Sequence, residues 1–337
     1  MPQPPSRQPR VCIVTPALAA ANNGNWQTAS RWQRFLAPVA QVEVRGAADA
    51  DPDASADILI ALHAHRSAEA IARFRARRPS AGIGLVLTGT DLYGDLETDR
   101  SARHSLQCAS AIVVLQECGL DRLDAAARAK ARVIVQSARS LSVLRHQGDA
   151  DFVAVGHLRA EKDPETLMAA ARLLGSDGGE RLTIDHFGAS LDPRFAALAE
   201  ETMRVCPWYR WRGAVPHGAA RRAIGRARAL VHCSRLEGGA NVVIEAVRSG
   251  VPVLASRIDG NLGLLGRGYT GAFPVGDAAA LAMLMRRFVD DADFAAQLRD
   301  QCAGRAPLFS PAAERAAVRH LVADLLDNRG AAADRGR

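Results

Sequence analysis

Short apolar segments alternate with longer stretches of helical periodicity along the first half of the chain. One such stretch, at 28–36, predicts a helix that follows a polar loop at 22–28. The apolar segments are rich in β-branched residues and predict strands at 11–15, 42–44, 57–62, 84–88, 111–115 and 133–135. This alternation is typical of βα units that build a parallel α/β sheet.

The same pattern starts again after residue 150. A helix is predicted at 164–174, and further strands are predicted at 152–155, 182–187, 229–232 and 251–255. The repeat of the pattern, with a linker near 147–151, predicts an N-terminal Rossmann-like domain over 1–150 and a C-terminal Rossmann-like domain over 151–310. A helix over 311–327 is predicted to pack back toward the N-terminal domain, and a flexible tail is predicted over 328–337. Ligands of open parallel sheets bind at the carboxyl ends of the strands, so we expect a central cleft between the two domains to hold the site.

Composition narrows the class of protein. The chain has 337 residues, of which 48% are hydrophobic and 23% charged, and this excludes a disordered chain and a small disulfide scaffold. The net charge of +7 is mild, and the Arg clusters lie in helical stretches with few aromatic residues, which argues against nucleic acid and favours small anionic substrates. Of the 43 basic residues only Lys130 and Lys162 are lysines. Because Arg replaces Lys so widely, each remaining lysine is worth examining. Lys130 lies in the segment D-A-A-A-R-A-K-A-R, which carries no motif, and it is predicted as a solvated helix residue.

Cysteine spacing and hydropathy set the expected compartment. None of the six cysteines forms a C-x-x-C pair, so neither a zinc site nor a redox couple is predicted. No segment approaches the roughly 18 apolar residues of a membrane helix, and the polar, Pro-rich start of the chain has no apolar signal region. These features predict a cytoplasmic protein with no bound metal or cofactor and no integral membrane segment.

The most informative segment follows the strand at 229–232. Glu237 is followed by Gly238 and Gly239, and a helix is predicted to begin near Ala240 or Asn241. The first amide groups of a helix are unpaired within it, and glycines let a ligand approach the backbone, so this turn suits a diphosphate. Glu245 lies one turn inside the helix, where its carboxylate can accept hydrogen bonds from hydroxyl groups. Two acids at this spacing are more often simply solvated, but the strand, the two glycines and the following Gly-Val-Pro-Val favour a ligand site.

This segment resembles the E-x7-E motif of family-4-like glycosyltransferases with the two-domain GT-B fold. The resemblance implies that Glu245 contacts the nucleotide ribose and Glu237 the hydroxyls of the donor sugar. The segment V-G-H-L-R-A-E-K resembles the part of the same family in which an Arg and a Lys clamp the donor diphosphate, and Lys162 matches the lysine. His157 stands at the Arg position, so Arg159 is the alternative second cation. Backbone near Gly188 and Val215 is similar to segments that border the nucleotide base, although a strand end and a tight turn explain both equally well.

The loop N-G-N-W-Q-T-A after the first strand carries a narrower resemblance. Together with L-H-A-H-R-S at 62–67 and L-T-G-T-D-L-Y at 87–93, it is similar to the selenosugar synthases of selenoneine biosynthesis, a branch of these glycosyltransferases. That branch also has His in the diphosphate segment. In the broader family a loop glycine, here Gly24, lets the first domain approach the donor phosphates. The simpler alternative is an ordinary turn with Thr28 as a helix cap.

The resemblance implies that a sugar moves from UDP-N-acetylglucosamine or UDP-glucose to selenophosphate, giving a 1-selenosugar. Catalysis would rest on Lys162, Arg159, Glu237 and the helix N-terminus, because selenium is already anionic and needs no general base. The candidate acceptor residues are polar or cationic side chains of the first domain: Asn25, Trp26, Gln27, Thr28, Arg31, His63, His65, Arg66, Thr90 and Asp91. For His63, His65 and Asp91, capping of the next helix is an equally good explanation. A further alternative for Asp91 is that it holds a loop or a sugar hydroxyl.

Three other functions remain open. The chain could be an ordinary GT-B glycosyltransferase that acts on a hydroxyl acceptor, although no basic amphipathic segment favours a lipid. It could bind sugar nucleotides without catalysis, against which the retained Glu237, Lys162 and Glu245 argue. A nucleic-acid binder is the weakest alternative. The oligomeric state is not predicted.

Overall fold

The computed structural model describes residues 7–18, 24–48, 55–141, 150–175 and 182–334. It divides into two compact units, one formed by Met1–Gln136 with Pro311–Arg337 and the other by Ser137–Ser310. The division falls earlier than the predicted boundary at 150, because the segment after Gln136 is bonded to the second unit. Ser140 donates to the carbonyl of Arg248 (3.0 Å), and Arg248 donates to the carbonyl of Ala138 (3.2 Å). Most of the predicted linker at 147–151 lies outside the described residues.

The first unit contains a six-stranded sheet in the order β2-β1-β3-β4-β5-β6, and every neighbouring pair is parallel. Its central strands are buried at every position because helices cover both faces, as the continuous apolar runs predict. The strands are β1 (Arg10–Thr15), β2 (Gln41–Gly46), β3 (Ile58–Leu62), β4 (Gly82–Leu87), β5 (Ala111–Val114) and β6 (Ala131–Val133). The helices are α1 (Gly24–Leu36), α2 (Ala68–Arg77), α3 (Leu96–Thr98), α4 (Arg100–Cys108) and α5 (Ala125–Ala129), with a π-helical turn at Asp91–Asp95 and a 3-10 turn at Glu117–Arg122.

The second unit repeats this architecture with a parallel sheet in the order β12-β11-β10-β7-β8-β9. The prediction of two parallel α/β sheets is therefore confirmed. The strands are β7 (Phe152–Val155), β8 (Ile184–Phe187), β9 (Tyr209–Gly213), β10 (Ala229–His232), β11 (Val253–Ser256) and β12 (Ala272–Phe273). The helices are α6 (Pro164–Gly175), α7 (Pro193–Val205), α8 (His217–Arg226), α9 (Asn241–Arg248), α10 (Asp259–Leu265), α11 (Ala278–Asp290) and α12 (Ala292–Arg305), with 3-10 turns at Ala160–Lys162 and Ala306–Phe309.

The last helix, α13 (Pro311–Asp334), belongs to the first unit although it follows the second in sequence. Its apolar face supplies Val318, Leu321, Val322 and Leu325 to the core that contains Trp32. The helix continues to Asp334, whereas a flexible tail is predicted from residue 328. Consecutive alanines at 331–333 have the highest helix propensity, which explains the extension.

Candidate active site

A pocket lies at the carboxyl ends of β7, β8 and β10, the central strands of the second sheet. Its lining includes Gly156 after β7, His186 on β8, and His232 and Ser234 at the end of β10, together with Lys162. Carboxyl ends of neighbouring parallel strands meet at one edge of a sheet, so residues far apart in sequence converge there. The pocket therefore brings the diphosphate segment beside the start of the E-x7-E segment.

Lys162 and Glu237 form an ion pair at this pocket. The ammonium Nζ donates to Glu237 Oε1, and the two side chains are only 22% and 13% exposed. The hydroxyl of Ser234 donates to the same Oε1 (2.7 Å), and Nε2 of His232 lies 3.4 Å from it. Burial alone would raise the pKa of the Glu237 carboxyl, but the Lys162 charge and the contact with His232 hold the pKa well below its usual range. Glu237 is thus a carboxylate whose Oε2 has no partner among the described residues.

A tight turn holds Lys162 in place. It ends the 3-10 turn, and the next residue, Asp163, has left-handed backbone geometry (φ 47°) and a fully buried side chain. Asp163 accepts from the hydroxyl of Thr166 (2.8 Å) and pairs with Arg235 (3.1 Å). The lysine stem passes over the end of β7, where a methyl at Gly156 would only make ordinary van der Waals contact with it, at 3.6 Å.

His157 and Arg159 lie beside this turn. Nδ1 of His157 accepts from the Ala189 amide (3.1 Å), so a neutral imidazole carries its proton on Nε2. Burial, Arg159 and Lys162 lower the pKa of His157, which favours this neutral form. Arg159 is about half exposed and pairs with Glu161 at 3.8 Å. His157 can therefore supply an uncharged donor, whereas Arg159 can supply a mobile charge.

The N-terminus of α9 is uncapped by any side chain. Ala240 is the capping residue and makes no side-chain hydrogen bond, so amides of the first turn, beginning at Asn241, are available to an anion. Gly238 is buried and Gly239 partly buried in the preceding turn. Helix α10 closes on this turn through Gly260, where a methyl group would lie 2.1 Å from the carbonyl oxygen of Glu237.

Glu245 faces α8 from the first turns of α9. Its side chain is 9% exposed, and Oε1 accepts from Nε2 of His217 (2.6 Å) with Nε of Arg221 at 3.9 Å. The hydrogen bond to the Glu245 carboxylate raises the pKa of His217. Burial of the imidazole opposes this change but is the smaller effect. No described residue donates to Oε2 of Glu245.

The remaining predicted donor-side residues have structural explanations as well. Gly188 has φ +153°, and a methyl there would lie 1.9 Å from the carbonyl oxygen of Gly156. Its own carbonyl accepts from the indole of Trp211 (2.8 Å). Val215 is partly buried before α8.

In the first unit the predicted loop after β1 is shorter than expected. Helix α1 begins at Gly24, so Gly24, Asn25, Trp26 and Gln27 form its first turn, whereas the prediction placed them in a loop and began the helix near Thr28. Thr28 does not cap the helix but is buried inside it, donating to the Gly24 carbonyl (2.9 Å). Asn and Gly have low helix propensity, but tertiary packing can override it. Here the packing of Trp32 in the core stabilises the helix. Residues 22 and 23 lie outside the described residues.

Arg31 is placed where it holds α1 to α13. Its Nε lies 2.7 Å from Glu314, which is fully buried and also accepts from the Trp32 indole (2.8 Å). A guanidinium held this way joins α1 to α13, and Glu314 already neutralises its charge.

The polar residues after β3 separate into a buried network and an exposed pair. Asp91 accepts from three backbone amides, of Ala64 (2.9 Å), Thr88 (2.9 Å) and Gly89 (2.8 Å), and so holds the turn after β4. His63 bonds the Thr90 hydroxyl at 2.9 Å, and burial lowers its pKa although Asp91 opposes the change. These two side chains maintain the loop, but neither caps a helix.

His65 and Arg66 differ from that network because both are exposed. Nδ1 of His65 lies 3.1 Å from Asp99, while the Arg66 guanidinium forms no ion pair with the described residues. They are two acceptor-side candidates that are open to a ligand; Thr90 is also exposed, and Asn25, Trp26 and Gln27 are partly exposed.

The second lysine has a specific contact that the sequence prediction missed. Lys130 is predicted as a solvated helix residue, but its ammonium donates to the carbonyls of Leu106 and Ala109 (both 2.7 Å) at the end of α4. Burial lowers the pKa of Lys130. A compact ammonium group with rotatable donors suits two converging carbonyls.

Sequence reasoning also missed His217, His232 and Ser234 as site residues. For Ser234 and His232, the one sequence signal of a site role is their position at a strand end, shortly before Glu237. His217 is 28 residues from Glu245, and no local pattern links them. Among the described residues no helix is long and apolar enough to cross a membrane, and no group of three metal-binding side chains occurs.

Comparison with known proteins agrees with this geometry. Residues 140–306 match the family model described as "Glycosyl transferases group 1". HepE from Anabaena, solved with UDP and glucose, shares 12% identity over 94% of this chain and 99% of that chain, with a TM-score of 0.71. Sucrose-phosphate synthase from Thermosynechococcus elongatus shares 17% identity over 95% and 99%, with a TM-score of 0.75.

The lipopolysaccharide outer core galactosyltransferase WaaB shares 13% identity over 94% and 99%, with a TM-score of 0.68. At this identity the likeness shows the fold. None of the curated protein sequences matches the chain. The chain therefore has the GT-B fold, and its residues 140–306 are similar to the group 1 glycosyl transferases.

Proposed function

We propose that this protein is a glycosyltransferase that moves a sugar from a UDP-sugar to selenophosphate and forms a carbon–selenium bond. The observation that carries the glycosyl-transfer part is the pairing of Lys162 with Glu237 at the uncapped N-terminus of α9. It joins a cation, open amides and a carboxylate, which are the groups that a nucleoside diphosphate sugar requires.

The donor occupies the second unit in this proposal. The diphosphate takes the amides at Asn241 and competes with Glu237 for the ammonium of Lys162, while His157 adds an uncharged donor. Oε2 of Glu237 then accepts from a sugar hydroxyl, and Oε2 of Glu245 accepts from the ribose. The solved complexes of HepE with UDP-glucose and with UDP and glucose support the choice of a UDP-sugar.

The chemical step follows from these placements. Selenium attacks the anomeric carbon of the donor sugar. The bond between that carbon and the diphosphate oxygen breaks, and its electron pair leaves with UDP. Lys162, the mobile Arg159 and the α9 amides stabilise the charge that develops on the leaving oxygen. Water later removes the phosphoryl group from selenium, which leaves the 1-selenosugar and phosphate. The nucleophile arrives with the substrate, so the chain need not supply one.

The acceptor assignment rests on the resemblance of the first-unit motifs and on the two exposed cations. His65 and Arg66 follow β3 at the carboxyl edge of the first sheet, and both are open to a trianion. Arg31 is not needed, because Glu314 already neutralises it.

One incubation tests both levels of the proposal. Purified protein is mixed with UDP-N-acetylglucosamine or UDP-glucose, each with and without selenophosphate, and UDP and selenosugar are followed by mass spectrometry. We expect UDP and selenosugar to appear together only when selenophosphate is present. UDP release at the same rate without it contradicts the carbon–selenium step, and transfer to an added hydroxyl acceptor assigns the ordinary glycosyltransferase instead.

The acceptor residues are tested in the same assay. The double substitution His65→Ala and Arg66→Ala is expected to raise the KM for selenophosphate and leave the KM for the UDP-sugar unchanged. Arg34→Ala, at an exposed position of α1, is the matched control. Equal KM values in all three proteins would remove these residues from the acceptor site.

A further inference from the structure

His217 is the first residue of α8, and it reaches across to α9. Its imidazole Nε2 lies 2.6 Å from Oε1 of Glu245, a short charge-assisted hydrogen bond. The imidazole is 49% exposed, whereas the carboxylate is 9% exposed. A half-exposed residue on one helix thus fixes a buried carboxylate on the next.

The two oxygens of Glu245 are used differently. Oε1 takes His217 and, at 3.9 Å, the Nε of Arg221, but Oε2 has no donor among the described residues. Because none of the described residues donates to Oε2, this oxygen can accept a hydrogen bond from a ligand that brings a hydroxyl. The imidazole prevents the carboxylate from turning, because rotation would break the short bond to Oε1.

We propose that His217 is a positioning residue that holds Glu245 with Oε2 directed at a ribose hydroxyl of the nucleotide. The assignment rests on the proposed function, since it needs a nucleoside as the ligand. His217 does not touch the reacting atoms, so it affects nucleotide binding rather than the chemical step.

The position also makes nucleoside affinity depend on pH. The charged groups that act on His217 are Glu245 from α9 and Arg221 from its own helix: the carboxylate favours the protonated imidazole, and the guanidinium opposes it. The bond to Glu245 is strongest while the imidazole is protonated, and it weakens as pH rises through the raised pKa of His217.

Calorimetric titration of the full chain tests this. Uridine and UDP are the probes, between pH 6 and 9; uridine carries no phosphate that titrates in the lower part of this range. For wild type we expect uridine affinity to fall as pH rises. His217→Ala is expected to bind both probes about tenfold more weakly at pH 6, the loss of one hydrogen bond to a charged group.

His217→Gln separates positioning from a merely structural role. The amide can still donate to Glu245 but does not titrate, so we expect affinity close to the wild-type value at pH 6 and a flat profile. In turnover assays His217→Ala should raise the KM for the UDP-sugar and leave kcat unchanged. His320→Ala, at an exposed site on α13, is the control and should match wild type.

The outcomes distinguish the two proposals. If wild type binds UDP but His217→Ala binds it equally well, the positioning role is wrong and the proposed function stands. The same conclusion follows if the Gln variant keeps the wild-type pH profile. If wild type binds neither UDP nor uridine, the nucleotide donor itself is wrong, and the role of His217 is wrong with it.

Discussion

The ion pair of Lys162 and Glu237 gives the sharpest prediction, because it serves stability and catalysis through different atoms. Lys162→Met keeps the aliphatic stem over Gly156 but removes the charge. Glu237 is then left partly buried with only Ser234 and His232 as donors. Stability should fall because a carboxylate has lost its cation, and activity should fall because the diphosphate has lost the same cation.

The expected loss of stability lies between two limits. Exposed pairs contribute about 0 to 1 kcal/mol, and breaking a fully buried pair costs about 3 to 5 kcal/mol. The side chains of Lys162 and Glu237 are mostly, but not fully, buried, so we expect about 2 kcal/mol from Lys162→Met. The folded pKa of Glu237 is lowered, so its contribution is complete above the unfolded pKa of about 4.3 and lost as pH falls through the folded pKa. Urea unfolding at pH 7 therefore measures all of it.

The double variant Lys162→Met and Glu237→Gln separates the two effects. It has no unpaired charge, so stability should recover toward wild type, whereas activity should stay low. Loss of one cation on the leaving group is expected to cost about 10²- to 10³-fold in kcat. Lys130→Met is the matched control: it removes a contact with the end of α4 and should lower stability without lowering kcat/KM. If the double variant is no more stable than Lys162→Met, the pair is not coupled; if both lysine variants lose activity equally, the diphosphate assignment is wrong.

Three further changes test other parts of the structure. Gly260→Ala forces a methyl to within 2.1 Å of the Glu237 carbonyl oxygen, so the turn must move; kcat should fall at least tenfold, and an unchanged kcat would contradict a role for that turn. Glu314→Ala leaves Arg31 without its buried partner and should lower the free energy of unfolding by about 3 kcal/mol in urea titrations; a change under about 0.5 kcal/mol would refute the packing role. His186 is buried with its pKa lowered to about 4, so the unfolded chain binds the proton first, and stability should fall by about 3 kcal/mol as pH falls from 6.5 to 4. His186→Gln should lose that part of the pH dependence, and a profile identical to wild type would contradict the assignment.

Local patterns in the sequence were sufficient to predict those features of the structure that have a local physical cause. Continuous apolar runs predict the buried strands of both sheets because parallel strands are covered on both faces. Lys162 and Glu237 stand out because each follows a strand, and strand ends of one parallel sheet converge. Both are therefore predicted as site residues, and they meet in the structure across 75 residues of chain.

The errors arise where contacts with residues distant in sequence outweigh local propensity. The Asn- and Gly-containing start of α1 has weak helix propensity, but the packing of Trp32 outweighs it. Lys130 lies in a segment of helical periodicity, yet the end of α4 supplies two carbonyls that no local pattern reveals. Propensity describes a residue's neighbours in sequence, whereas burial depends on its neighbours in space.

The sequence by itself determined the two α/β sheets, and it predicted Lys162, Glu237 and Glu245 as candidate site residues. Only the tertiary structure decided what each group contacts: Arg31 pairs with Glu314 across 283 residues, and His217 holds Glu245 across 28. Hydrogen bonds and ion pairs act over about 3 to 4 Å, a distance that folding sets and sequence spacing does not.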